Sequence, residues 1–396
     1  MLKPTAGRES YHRLKPTVTL PSFSRVRCRI HLEDQLMAKR VLAVVASLGL
    51  LVVLVVPATA RNINSINAYV VHNLQSDVPG AAAQTDPDLV NGWGITASGS
   101  SPWWVADNGT AKSTLYNGNT GAKITAVIVD IPGPDGPGAP TGVVFNTSTD
   151  PTEFVITGGG GTSAARFIFD GEDGTVSAWN GGTAAVIKAT SQNGAIYKGL
   201  AIGKVGTATY LFAADFHNAH VDVYNGSFAL QDWGNAFVDP GIPAGFAPFG
   251  IQNIAGQIFV TYAKQDADAE DEIAGEGLGY VSAFGTDGSF HGRIASRGAL
   301  NAPWGLALAP SDFGKFSGNL LIGNFGDGRI NALRPTHGGW EEHGKLKGTN
   351  NRPISIDGLW GIGFGNGGGA GPTNTLFFAA GPDDETHGLF GSITAP

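Results

Sequence analysis

The chain has 396 residues, of which 59 are glycine, about 15% against a usual ~7%, and its length allows one large domain or a few ordinary ones. Charged residues make up only 15% while hydrophobic residues hold 42%, which excludes a disordered chain, a coiled coil and a basic nucleic-acid binder. This is the profile of an all-β protein, with many tight turns between short buried strands.

Residues 1–36 carry Arg25, Arg27 and Arg29 and show no apolar periodicity. They precede a complete export signal with its own methionine, and read as a gene-start extension or an unusually long leading segment. From Met37 the chain runs through Lys39 and Arg40 into an unbroken apolar stretch, Val41 to Val56, and then Ala58-Thr59-Ala60, the small-residue pattern of a cleaved secretory signal. Cleavage is expected after Ala60. The apolar stretch is shorter than the ~20 residues that span a bilayer, with an uncleaved anchor as the alternative. The expected location is secreted, periplasmic or extracellular. With residues 1–60 set aside, 16 Lys/Arg and 30 Asp/Glu remain, a net charge of −14, which argues against nucleic acid and anionic membranes as partners. The single cysteine, Cys28, lies in the discarded part, so the core and not disulfides must hold the mature chain.

Residues 61–396 are built on a repeat. One phrase recurs six times: Asn91-Gly-Trp93-Gly94, Ala139-Pro-Thr141-Gly142, Tyr197-Lys198-Gly199, Ala247-Pro-Phe249-Gly250, Ala302-Pro-Trp304-Gly305 and Gly358-Leu-Trp360-Gly361. Each copy is followed by a second apolar run: Trp104–Asp107, Phe154–Thr157, Leu211–Asp215, Ile258–Thr261, Leu320–Asn324 and Leu376–Ala380. A third run then closes in a turn, with Asn117-Gly118, Asn180-Gly181 and Asn225-Gly226 as hairpin signals, because both residue types accept positive φ. The spacing of about fifty to fifty-six residues suits one four-stranded antiparallel sheet with its loops. Six such sheets around an axis make a six-bladed β-propeller, in which radial repetition protects the strand edges. The last copy lacks a fourth strand, whereas an unpaired strand-like segment, Ile66–Val71, precedes the first. The segment 66–72 is therefore expected to pair with 389–394 and close the ring.

The succession of Pro-x-Gly-Ile/Leu, an apolar strand ending Ala-Asp, and Val-x-Val-Tyr with Asn-Gly resembles the NHL-type six-bladed propellers. The opening Asn73-Leu-Gln-Ser-Asp77-Val-Pro-Gly80 and Asp88-Leu-Val-Asn-Gly-Trp-Gly94 is similar to a family of exported bacterial propellers described only as uncharacterised. The resemblance covers about 66–396, and it implies a fold and an exported location without an activity.

Catalytic motifs are weak. Gly363-Phe-Gly365-Asn-Gly-Gly368 matches a dinucleotide fingerprint but joins two strands instead of opening a helix. The stretch reaching Gly344-Lys345 approaches a P-loop, yet Leu346 stands where a magnesium-binding Ser or Thr belongs. There is no nucleophile elbow and no zincin motif. Asp266, Asp268, Glu270 and Glu272, with Asp271 and Glu276, alternate like the start of a calcium loop, making calcium the one candidate ion; the alternatives are a solvated acidic loop and a partner-binding loop. Asp215-Phe-His217-Asn-Ala-His220 could ligate zinc, but on a strand end His217 and His220 point to different sides.

Propeller geometry gathers one face. First strands start and second strands end there, so Trp93, Lys198, Phe249, Trp304 and Trp360 should share it with Asp107, Asn108, Asp215, His217, Asn324 and Asp327. The aromatics form either a ligand platform at the channel mouth or plugs between blades. The reading favoured is a monomeric binding or scaffold propeller for a small molecule, glycan or protein. The alternatives are a metal-dependent hydrolase or lyase, like the gluconolactonase-type propellers, and a structural envelope or matrix component.

Overall fold

The computed structural model describes residues 66–396; the extension and the export signal expected over residues 1–60 lie outside the described residues. Six antiparallel sheets follow one another. Blade 1 is Gly92–Thr96, Trp103–Asp107, Lys112–Tyr116 and Val129–Asp130; blade 2 is Pro140–Phe145, Phe167–Gly171, Thr175–Trp179 and Val186–Thr190. Blade 3 is Tyr197–Val205, Ala208–Asp215, His220–Tyr224 and Leu230–Gln231; blade 4 is Phe246–Ile254, Gln257–Gln265, Gly279–Gly285 and Phe290–Ser296. Blade 5 is Pro303–Leu308, Leu320–Asn324, Ile330–Thr336 and Gly339–Lys345. Blade 6 takes Leu359–Phe364, Thr375–Ala380 and Leu389–Thr394 from the end of the chain and Val70–Ser76 from its front. The protein is a six-bladed β-propeller.

The apolar runs read as continuous because each blade is buried on both faces. Successive side chains of a strand point to opposite sides, and here each side is a neighbouring blade. Trp103 and Val105 pack toward blade 6, with Trp103 5.4 Å from Phe377, whereas Trp104 and Ala106 pack toward blade 2, with Trp104 stacked 3.9 Å from Phe167. Each gap between neighbouring blades holds its own apolar cluster.

The repeat phrase has a steric cause. A Cβ on Gly250 would stand 2.1 Å from the carbonyl oxygen of Trp304 in the next blade, and one on Gly361 would stand 2.6 Å from that of Trp93. Inner strands approach so closely at the axis that the position after each Trp, Phe, Lys or Thr must be glycine.

Two details differ from the sequence reading. The closing strand is Val70–Ser76, a few residues later than expected, paired antiparallel from Val70 opposite Thr394 to Ser76 opposite Leu389. Tyr69 just before it is an anchor, its hydroxyl donating to the Phe313 carbonyl at 2.9 Å. The second strand of blade 2 is Phe167–Gly171, not Phe154–Thr157. Residues Val155–Gly158 instead pair with Gly161–Ala164 in a separate hairpin, because the glycines at 158–161 turn the chain back at once. Both runs contribute to the core between blades 2 and 3, Phe154 and Ile156 beside Ile168, but only Phe167–Gly171 pairs with the first strand, Pro140–Phe145.

Candidate functional site

The side chains that open the six inner strands meet at the axis, forming an aromatic floor. Trp93 and Trp360 stack with ring centroids 3.6 Å apart, Phe325 stacks on Trp360 at 4.1 Å, and Trp304 meets both tryptophans edge-on at 6.4 and 5.9 Å. Phe249 lies 5.7 Å from Trp360 and 5.4 Å from Phe216. Trp360 and Phe249 are 0% exposed and Trp93 1%. These rings are a plug and offer no platform to a ligand; only Trp304 and Phe325 are partly accessible. Beyond the plug, the channel opens to the opposite face as a cavity of about 340 Å³ lined by residues such as Ile95, Val143, Leu200 and Gln252, with no titratable side chain in its lining.

Blade 3 breaks the aromatic pattern with Lys198, which is 1% exposed. Its ammonium lies 5.2 Å from the Trp93 ring centroid and 5.9 Å from that of Phe216, a placement that favours a cation over the ring face. Trp304 Nε1 donates to the Lys198 carbonyl at 2.7 Å and fixes the strand start. Lys198 Nζ donates to Glu172 Oε1 at 2.6 Å and to Asp271 Oδ1 at 3.2 Å. Burial disfavours the charge, but the charges of Glu172, Glu272 and Asp271 outweigh it and hold the ammonium's pKa above the usual lysine range.

An amide-linked rim surrounds this ammonium. Asn108 Nδ2 donates to Glu172 Oε2 at 2.8 Å, Asn91 Nδ2 donates to Glu385 Oε2 at 2.6 Å, and Trp360 Nε1 donates to Asn91 Oδ1 at 3.1 Å. Burial pushes the Glu272 carboxyl up to about 8 against the pull of Lys198, and burial also raises Glu385. Glu172 and Asp271, from blades 2 and 4, therefore hold the ammonium of blade 3 directly, while Glu272 and Glu385, from blades 4 and 6, add acid close by. The mouth carries excess acid, and part of that acid holds protons near neutral pH.

The acidic loop 266–276 forms the cover. Glu272 and Ile273 pair back on Gln265 and Lys264, Gln265 Nε2 donates to the Phe216 carbonyl at 2.6 Å, and His217 Nδ1 lies 3.2 Å from the Ala269 carbonyl. These contacts bring Asp271 and Glu272 to the axis. No three of the four positions considered for calcium bring ligand atoms within 4.8 Å of one another, and Asp266 Oδ1 accepts from the Glu270 amide at 3.0 Å within its own loop.

The remaining predicted residues lie at the ends of second strands on the same face, where they tie the backbone. Asp107 is fully buried, accepts from the Thr114 amide at 2.9 Å, and has its carboxyl pushed well up by burial. Asp215 accepts from the Asn218 amide at 3.1 Å and the Asn218 side chain at 2.8 Å. Asn324 donates to the Ala299 carbonyl at 2.9 Å and to Asp327 at 3.0 Å, and Asp327 also pairs with Arg329 at 3.3 Å. Of the predicted set, Trp93, Asn108, Lys198, Phe249, Trp304, Trp360 and Glu272 meet at the axial mouth. Asn91, Glu172 and Glu385 complete it and were not among the predicted residues, and Asp271 comes to it with the acidic loop. A shared signal marks the acids: each stands in the loop after the second strand of blade 2, 4 or 6, where turn composition hid it.

No protein-family model matches the sequence. Two proteins of Acanthamoeba polyphaga mimivirus, both described as uncharacterized, are similar to nearly its whole length. One is 33% identical over 345 residues, covering 83% of this chain and 81% of the relative. The other is 32% identical over 327 residues, covering 79% and 82%. The chain belongs to their family. The relatives are viral, so the bacterial family and the NHL type named from the sequence remain resemblances. Among solved structures, the soluble aldose sugar dehydrogenase of Escherichia coli in its apo form matches with a TM-score of 0.51 at 12% identity, over 83% of this chain and all (100%) of that one. Virginiamycin B lyase from Staphylococcus aureus matches with a TM-score of 0.43 at 16% identity, over 77% and 95%. At such identities the likeness is one of fold, and fold carries no activity with it.

Proposed function

We propose that the protein is an exported binding propeller that holds a small organic cation, an ammonium or guanidinium group, at the axial mouth. The observation that carries this reading is the pairing of Glu172 and Asp271 with the buried Lys198, with Glu272 and Glu385 close enough for charge to be felt between them and that ammonium. Lys198 acts as a tethered cation that fills an acidic nest in the absence of a ligand, and Asp271, 76% exposed, is the gate through which a second cation gains the carboxylates. Acid in excess of the one ammonium leaves room for a second positive charge. The gluconolactonase-type reading asks for carboxylates and amides arranged around a metal at the axis; here such groups surround an ammonium belonging to the chain itself.

The test is calorimetric titration of residues 61–396 with putrescine, arginine amide and choline, beside glucose and glutarate as neutral and anionic controls. Saturable binding of a cation is expected, tightening as pH rises toward 8 because the bound charge favours ionised Glu272, and weakened at least tenfold by Glu172→Gln with Asp271→Asn. Binding of the neutral or anionic probes alone would overturn the reading. Export is tested separately by N-terminal sequencing of secreted protein, expected to begin at Arg61.

A further inference from the structure

Blade 3 holds a second cluster of chemistry, made of residues other than those of the axial mouth and independent of its reading. Asp215 ends the second strand, His220 begins the third directly opposite it, and Asp222 lies two residues further along the same face. Their side chains therefore project together. His220 Nε2 is 2.8 Å from Asp222 Oδ1 and 3.6 Å from Asp215 Oδ2. Among the described residues this is the one trio of His and acidic side chains whose ligand atoms all lie within 4.8 Å of one another.

We propose that Asp215, His220 and Asp222 form a three-ligand site for a first-row divalent cation of the Zn²⁺ type, open to solvent on its fourth side.

The spacing suits such an ion, since ligands at ~2.1 Å from a tetrahedral metal lie about 3.4 Å from each other. One imidazole nitrogen with two carboxylate oxygens is a donor set that a borderline cation accepts. The outer supports are also in place. His220 Nδ1 lies 3.3 Å from the Asn218 carbonyl, so the far ring nitrogen is held by backbone and Nε2 is presented to the carboxylates. Tyr197 donates its hydroxyl to Asp222 Oδ2 at 2.6 Å, leaving Oδ1 for the site. Asn218 holds Asp215 through both its amide and its side chain. Asp215 is fully buried, Asp222 nearly so, and His220 is 43% exposed. Access is thus from the histidine side, and the two carboxylates exceed the single positive charge that His220 can supply.

The experiment is titration of chelator-treated, full-length protein with Zn²⁺, and with Co²⁺ for its visible absorption. Binding of one ion per chain is expected, with a rise in melting temperature as the ion stabilises the folded state. His220→Ala and Asp222→Asn should each weaken binding at least tenfold, whereas Asp271→Asn at the axial mouth should leave it unchanged. Melting curves in chelator check that the variants fold, and the half-exposed His220→Gln gives a second, milder test. Absence of binding at millimolar Zn²⁺, or equal binding by wild type and His220→Ala, would overturn the site and leave a histidine–carboxylate ion pair.

Discussion

Trp360 in blade 6 and Lys198 in blade 3 occupy the same repeat position, start the same kind of inner strand and are buried to nearly the same degree, 0% and 1% exposed. Trp360 is held by ring stacking and an indole hydrogen bond to Asn91, interactions that work because water is absent. Lys198 is held by charges drawn from blades 2 and 4, which must offset the cost of taking an ammonium out of water. The aromatic half of the mouth is a rigid floor. The ionic half depends on pH, and its partners stand on loops, one of them exposed. A functional site belongs on the second kind of surface, because its bonds can be exchanged for those of a ligand.

The comparison breaks first at the floor. Trp360→Ala removes a fully buried ring and should cost about 3–5 kcal/mol, and Trp93→Ala a similar amount, while the partly exposed Trp304→Ala should cost less. Denaturant melts of the three variants check the order; equal small losses would show a loose floor.

Lys198→Met tests the ionic half. Leaving the carboxylates of the mouth without their buried cation should cost about 1–2 kcal/mol at pH 8, below the figure for a fully buried pair because Glu172 and Asp271 keep contact with solvent, and less at pH 5, where Glu272 takes up a proton. Unfolding at the two pH values measures the difference. A pH-independent loss would mean that Lys198 matters through its packing alone.

Glu272→Gln has a smaller effect with a definite sign. The folded carboxyl keeps its proton up to about 8, against 4.5 for a free glutamate side chain, so over that window the folded chain binds more protons than the unfolded one. Stability from this group therefore falls as pH rises from 4.5 to 8. The Gln variant, lacking that slope, should gain on wild type as pH rises, read as the difference in unfolding free energy at pH 5 and pH 8. The smallest effect is expected for Asp271→Asn, whose exposed ion pair should contribute under about 1 kcal/mol; its stability should barely move while cation binding weakens.

Periodicity alone determined most of the architecture. The six glycine phrases, the apolar runs after them and the unpaired front strand specify blade number and ring closure, because inner strands that touch at the axis admit only glycine and strands buried on both faces must be apolar throughout. Local pattern could not choose between Phe154–Thr157 and Phe167–Gly171, which read alike until pairing with Pro140–Phe145 places the second in the blade. The site was half legible for the same reason. Lys198, Trp93 and Trp360 stand at repeat positions, so their register announced them, whereas Glu172, Asp271 and Glu385 lie in loops of unequal length and meet only when the ring closes. His220 and Asp222 were visible as residues, yet their convergence with Asp215 depends on the strand register opposite them. A one-dimensional pattern carries what repeats along the chain; charges brought together from different blades belong to the tertiary structure, because ring closure and not sequence spacing sets the distances between them.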